Sequence, residues 1–229
     1  MNRHLNKSLL FVALMACATG SALAADRTID ISGNNTSSSY ISYDKAIAIS
    51  SANTVTVKMA RYCYFSSTIT GTGILNLYAG GERCYLGTEK GASWPNWNNY
   101  KGNIHIYPFK ENSSSAGFYG VVLAHGGKSF SPENIEDDIK SGKVNTSMQN
   151  NRVTLHEGAT ICCEANSAGA GFRIGELQTE AGSTLQGYMK NSRAAYYLLG
   201  NLNTDATLAG TIMPSNYRDD TPPGHHQGG

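Results

Sequence analysis

Ile69-Thr70-Gly71-Thr72-Gly73-Ile74-Leu75-Asn76-Leu77-Tyr78-Ala79-Gly80-Gly81 is a strand template cut by glycines. Ile69, Leu75 and Leu77 place apolar side chains at alternate positions, the period of a strand with one buried face. Gly71 and Gly73 stand where the backbone must bend or approach another backbone, and Gly80 and Gly81 end the run. A single hairpin would account for this segment alone, but similar segments recur along the chain.

The clearest recurrence lies in the last third. Leu177-Gln178-Thr179-Glu180-Ala181-Gly182-Ser183-Thr184-Leu185-Gln186-Gly187 is echoed by Leu202-Asn203-Thr204-Asp205-Ala206-Thr207-Leu208-Ala209-Gly210, and more loosely by Leu155-His156-Glu157-Gly158-Ala159-Thr160-Ile161. Ile161, Leu185 and Leu208 are then spaced by 24 and 23 residues. Periods of this size belong to solenoid coils, in which one repeat cannot bury its apolar side and the stack builds a continuous core. Val55, Val57 and Met59 alternate with polar residues in the same half-buried manner. The expectation is an all-β fold, and a parallel β-helix ahead of a sandwich.

Composition agrees with that class. The 229 residues include 25 glycines and 13 tyrosines, with 40% hydrophobic and only 15% charged residues, a balance unlike that of a helical bundle. One short inserted helix is predicted over Ser131–Lys140, with Ser131 as cap, Pro132 at the first helical position and Gly142 beyond the end. Its acids, Glu133, Glu136, Asp137 and Asp138, are accounted for by the helix dipole without a metal ion. A formal net charge of +1 leaves no electrostatic footprint for nucleic acid or an anionic membrane.

The N-terminus reads as an export signal over 1–24. Arg3 and Lys7 precede the apolar run Leu9 to Cys17, which is too short to span a bilayer, and Ala22-Leu23-Ala24 offers the cleavage site. Leu14-Met15-Ala16-Cys17 is a competing, lipobox-like site. The β-helix domain is assigned to 25–212 and a polar tail to 213–229, where His225 and His226 sit. The expected compartment is extracellular or the cell surface, with the periplasm as an alternative.

Cys63, Cys84, Cys162 and Cys163 remain after signal removal. Cys63 and Cys84 lie 21 residues apart, close to one coil, and neighbouring coils lie about 4.8 Å apart, so a disulfide between them fits as well as four packed thiols do. Adjacent Cys162 and Cys163 point to opposite faces of a strand, which suggests one buried and one exposed. None of the four has the spacing of a zinc site.

Trp94-Pro95-Asn96-Trp97-Asn98-Asn99-Tyr100 gathers three large aromatic residues. They are glycan contacts if the loop is exposed, since rings stack on sugars, and core cover if it is not. Ile69-x-Gly71-x-Gly73-x-Leu75-x-Leu77, followed by Asn98-x-Tyr100-x-Gly102-x-x-x-Ile106, resembles the autotransporter-associated β-strand repeat of bacterial passenger domains. The resemblance implies a right-handed parallel β-helix with Leu75, Leu77 and Ile106 inside and the glycines at corners. The segment from Gly81 to Asn98 is longer than the family's usual turn, and no C-terminal membrane-barrel pattern follows, so another export route or a fragment is expected.

Stacked repeats would align Glu180 with Asp205, and Glu157 beside them, as a carboxylate row able to hold Ca²⁺ or to work as an acid and nucleophile pair; solvated turn residues are the simpler reading. Thr160, Thr184 and Thr207 would form a threonine ladder. His105, His125 and His156 read as single histidines, and no catalytic residue is assigned. The preferred expectation is a surface-associated structural or adhesin-like module, binding glycan or a host surface through Trp94, Trp97 and Tyr100 and self-associating through its ends. The alternative is a β-helix polysaccharide lyase or glycoside hydrolase acting on acidic polysaccharide. Arg173 near Glu176 would be the base of the lyase, and Ca²⁺ would enter only then.

Overall fold

The computed structural model describes residues 26–33, 39–80, 84–88, 93–110, 120–124, 128–163, 169–188 and 194–213. The export signal, Gly81, His125 and the tail beyond 213 lie outside the described residues.

The chain begins with β1 (Arg27–Ile31), β2 (Ile41–Tyr43), β3 (Ile47–Ile49), β4 (Thr54–Met59), β5 (Cys63–Phe65) and β6 (Ile69–Gly71). It continues through β7 (Ile74–Ala79), β8 (Cys84–Leu86), β9 (Asn103–Pro108) and β10 (Gly120–Leu123) to the helix α1 (Ile135–Lys140). The last part holds β11 (Val144–Leu155), β12 (Thr160–Cys163), β13 (Gly169–Thr179), β14 (Thr184–Tyr188), β15 (Ala194–Leu199) and β16 (Thr211–Met213). The fold is all-β, and every strand pair among the described residues is parallel.

Two seven-stranded sheets carry the architecture, in the orders β1-β4-β7-β9-β11-β13-β15 and β16-β14-β12-β10-β8-β5-β2, with β3 and β6 as a third, smaller wall. The chain visits the walls in rotation, so each strand pairs with one from the preceding circuit. Register then stacks inward residues into rows: Val55, Leu75, Ile104, Val153 and Leu177 form one, and Val57, Leu77, Ile106 and Leu155 another. Ile69, Leu75, Leu77 and Ile106 belong to one continuous core and are fully buried, as the alternation predicts.

Glycine is required where backbones come closest. Gly71 has a φ of +102°, and a Cβ there would lie 2.0 Å from the Ile49 carbonyl oxygen. At Gly80, just past the end of β7, a Cβ would meet the Phe109 carbonyl oxygen at 1.8 Å. The first is a left-handed bend that L side chains resist, and the second is a steric exclusion in ordinary backbone.

Several expectations need correction. The 24-residue step from Ile161 to Leu185 is a true register pair, but the next partner of Leu185 is Ile212. Leu208 instead bridges Thr179, so the final repeat is displaced by a longer turn. Thr160 and Thr184 do stack, and Thr211 rather than Thr207 takes the next place. The helix is shorter than its sequence signals: a 3₁₀ turn over Pro132–Asn134 precedes α1. Ser131 makes no side-chain cap; its N–H donates to Asp138 Oδ2 at 2.8 Å, and Lys143 Nζ meets Oδ1 of that carboxylate at 2.7 Å. Hydrogen bonding from Lys143 holds the Asp138 carboxyl below its usual range, so this acid is a folding contact. Cys162 and Cys163 face opposite sides of β12 as expected, yet both are buried, Cys163 in the main core and Cys162 in a satellite cluster with Tyr64, Tyr85 and Val122.

Leu77→Ala is expected to cost about 2–5 kcal/mol in urea unfolding, the range for a buried Leu truncation. Leu77→Asp should abolish the cooperative transition, and a Leu77→Asp protein melting like the parent would contradict the inward assignment.

Candidate functional site

Opposite the core, the long sheet presents its outward side chains in the same register. Asp30, Lys58, Tyr78 and Tyr107 are successive partners along β1, β4, β7 and β9. Leu155 pairs with both Ile106 and Thr179, which brings the next residues, His156 and Glu180, into the same row. Backbone bonds extend the ladder to them, His156 N to Ile106 O at 3.0 Å and Glu180 N to Leu155 O at 2.9 Å. A single outward row thus runs from an aspartate through a lysine, two tyrosines and a histidine to a glutamate.

Its middle is a stack of rings. Tyr78 and Tyr107 lie 4.7 Å apart between centroids, and Tyr107 and His156 4.0 Å apart at 5°. The first separation matches the spacing between parallel strands and the second is closer still, so the backbone sets the stack and the rings close onto it. His105 joins from the adjacent outward position: its Nδ1 lies 3.0 Å from His156 Nε2. Nδ1 of His156 lies 2.9 Å from Glu180 Oε1, and Glu180 Oε2 accepts the Glu157 N–H at 3.0 Å.

Hydrogen-bond logic assigns the protons along this chain. Carboxylate Glu180 only accepts, so His156 donates from Nδ1, and in the neutral tautomer that this bond selects Nε2 carries the lone pair. His105 then donates from its own Nδ1 into that lone pair. Burial, followed by the nearby His156, lowers the His105 pKa from its ordinary 6.5, while Glu180 acts in the opposite direction. The Glu157 N–H is the main cause of a lowered Glu180 pKa, with His156 contributing less. Tyr107 is raised, first by burial and then by Tyr78 and Glu180. The arrangement presents an imidazole pair oriented by a carboxylate, with two phenols alongside. Such a group can exchange a proton, accept a cation between its nitrogens, or offer polar ring edges to a ligand.

The aromatic loop is built differently. Trp97 and Tyr100 are both 0% exposed, so neither offers a ring face to a sugar, and the core-cover alternative describes them. Trp97 Nε1 donates to Ser67 O at 2.8 Å, and the Tyr100 hydroxyl donates to Gly73 O at 2.8 Å. Trp94 is half-buried. Asn151, itself fully buried, clips the same corner from the next circuit, donating to Tyr100 O at 3.1 Å and Gly102 O at 2.9 Å.

Cys63 and Cys84 are register partners in β5 and β8, both buried free thiols, each within 3.1 Å of the Ala60 carbonyl oxygen. Burial, and then Cys84, push the Cys63 pKa well up, so the thiol is a poor nucleophile in this state.

The carboxylates expected to act together are separated by role. Glu180 belongs to the histidine chain, while Thr179 N–H bonds Thr207 O and Ala209 N–H bonds Thr179 O, which places Leu208 rather than Asp205 beside this circuit. Glu176 is 1% exposed, and its partner is Arg152, not Arg173: Arg152 Nε lies 2.5 Å from Oε1 and Nη2 3.1 Å from Oε2. Thr204 adds a hydroxyl to the same carboxylate. Arg173 lines a shallow groove with Ile135, Glu136 and Leu198 instead. Among the described residues, no three His, Cys, Asp or Glu side chains form a metal cage.

The histidine chain escaped sequence reading because its members are far apart. His105 and His156 are 51 residues apart, with α1 inserted between them, so no fixed period joins them. The usable signal was the shared inward position of Ile106 and Leu155, each followed by a ring. No protein-family model matches this chain, and no curated protein matches it.

In a proton NMR titration, His105 is expected to titrate below 6.5. Glu180→Gln should lower it further, because the carboxylate favours the charged imidazole. As pH falls below 6.5, the unfolded chain takes up this proton before the folded one, so thermal stability should decline there, less steeply in His105→Gln. A His105 titrating at or above 6.5 would refute the burial argument.

Proposed function

We propose that the chain is a right-handed parallel β-helix, exported to the bacterial surface, with a structural or adhesin-like role and a glycan or host surface as partner. The observation that carries this reading is the continuous in-register parallel pairing of seven strands in each long sheet. Rotation of the chain through the walls supports a helix of coils, and crossovers between parallel strands are right-handed in nearly all proteins. The likeness of Ile69–Ile106 to the autotransporter-associated repeat supports the same architecture and export, which residues 1–24 also imply. A stack of this kind spaces outward side chains at a constant interval, which suits display to an extended ligand.

The working surface in this proposal is the outward row of Tyr78, Tyr107 and His156, with Trp94 as the remaining ring of the aromatic loop. Export into an oxidising compartment would join Cys63 to Cys84, since partners in adjacent parallel strands have Cα atoms close to the range a disulfide accepts. End-to-end association of copies belongs to the same reading, because Leu208 and Ile212 stand exposed at the last described circuit, at 48% and 70%.

A glycan array probed with the purified protein should show binding above background that falls roughly two- to tenfold in Tyr107→Ala, the loss expected when the hydroxyl edge of the ring and its hydrogen bond to the ligand are removed. Background-level signal for parent and variant alike would sink the glycan-adhesin role. Mass spectrometry of the exported protein without reductant should find the Cys63 and Cys84 peptides linked. Alkylation of both thiols in that sample would exclude the disulfide.

A further inference from the structure

We propose that His105 and His156 form a binding site for a divalent transition-metal ion of the zinc class, coordinated by His105 Nδ1 and His156 Nε2 and completed by water. The two nitrogens face one another at 3.0 Å on the outer face of the long sheet. Zinc bonds imidazole at about 2.0–2.1 Å, and a tetrahedral angle between two such bonds sets the nitrogens roughly 3.3 Å apart. Opening the pair by a few tenths of an ångström therefore admits the ion.

The surroundings meet the other requirements of a histidine ligand. Metal-bound imidazole commonly donates its second N–H to a carboxylate, which fixes the tautomer and raises the basicity of the ligating nitrogen. Glu180 Oε1 already holds His156 Nδ1 at 2.9 Å, and the Glu157 N–H holds the other oxygen of that carboxylate at 3.0 Å. His156 is thus presented with its Nε2 lone pair outward. Tyr107, parallel to the His156 ring at 4.0 Å, limits rotation of that ring. His105 must shift its proton from Nδ1 to Nε2 to offer the second lone pair, a change of tautomer that leaves the ring neutral. Its partial burial favours that neutral form, which is the ligating one.

With two protein ligands the ion keeps open positions for water or for an oxygen of a bound molecule, unlike a closed structural site. Zinc here would bind the folded protein and contribute to its stability by mass action. The site does not depend on the handedness of the coil or on glycan recognition, so it stands or falls separately from the proposed function.

The experiment is a calorimetric titration with Zn²⁺ near neutral pH, on the full chain carrying His225→Gln and His226→Gln to remove the tail histidines. One ion per chain is expected. His105→Gln and His156→Gln should each abolish that binding, and Glu180→Gln should weaken it by about 10–100-fold, the usual effect of removing an orienting carboxylate. Imidazole NMR on the unsubstituted histidine pair gives an independent readout: Zn²⁺ should perturb the ring nitrogens of His105 and His156 selectively, even if a variant fails to fold. Zinc binding of equal strength in the His105→Gln/His156→Gln double variant, or the absence of selective shifts at these two rings, would overturn the proposal.

Discussion

Parallel backbone pairing in register is the constraint on which the rest of this structure depends. Once Val57, Leu77, Ile106 and Leu155 face each other across successive strands, the inward rows of β4, β7, β9 and β11 are apolar by repetition and the outward residues form ladders. Each fully buried Leu or Ile contributes roughly 1.5–3 kcal/mol by leaving water. The hydrogen-bond ladder sets where those side chains fall and contributes little net energy of its own. Close approach of circuits is the cost of this arrangement. It is met at Gly71 and Gly80, where any side chain would collide with a neighbouring carbonyl.

The same register gives the outward face its chemistry. Rings that would be isolated on another fold are held at strand spacing, so Tyr78, Tyr107 and His156 stack without needing a loop to position them. Glu180 at the end of the stack orients His156, and His105 meets it diagonally. This polar chain lies near solvent, where its charges are cheaply held. Glu176 faces the opposite situation: it is buried, and its carboxylate is held by Arg152 at both oxygens and by the Thr204 hydroxyl. Two glutamates four residues apart in sequence thus serve different ends, one as an orienting group and one as an internal tie.

The small third wall shows how the stack continues where strands give out. Among the described residues no third-wall strand follows β6, and a bridge from Gly71 to Tyr100 takes its place. Trp97 and Tyr100 fill the space with large rings, and each satisfies its polar atom on a backbone carbonyl of the preceding circuit. Asn151 repeats the device one circuit later. It reaches the interior because β11 is irregular there: Met148 and Arg152, four residues apart, face Ile174 and Glu176, two apart. The Trp97 and Tyr100 donors and the Asn151 amide nitrogen are stable in such a place because their partners are fixed backbone carbonyls.

Sequence by itself determined the strand class and the inward residues of β4, β7 and β9, because alternation is a local property. It marked Gly71 as a bend or close approach and Gly80 as the end of a run, while the carbonyls that exclude a side chain there, of Ile49 and Phe109, belong to other circuits. It also aligned Cys63 with Cys84 and Ile161 with Leu185, where the circuits are of regular length. It misaligned Leu208, because the final turn is longer, and it left Trp97 and Tyr100 open between surface and core, because burial depends on what packs above a loop. Only the tertiary structure decided that His105, His156 and Glu180 meet. Their contacts arise from register between circuits of unequal length, one of them interrupted by a helix, and the number of residues spent between two strands leaves no trace in the pattern of either.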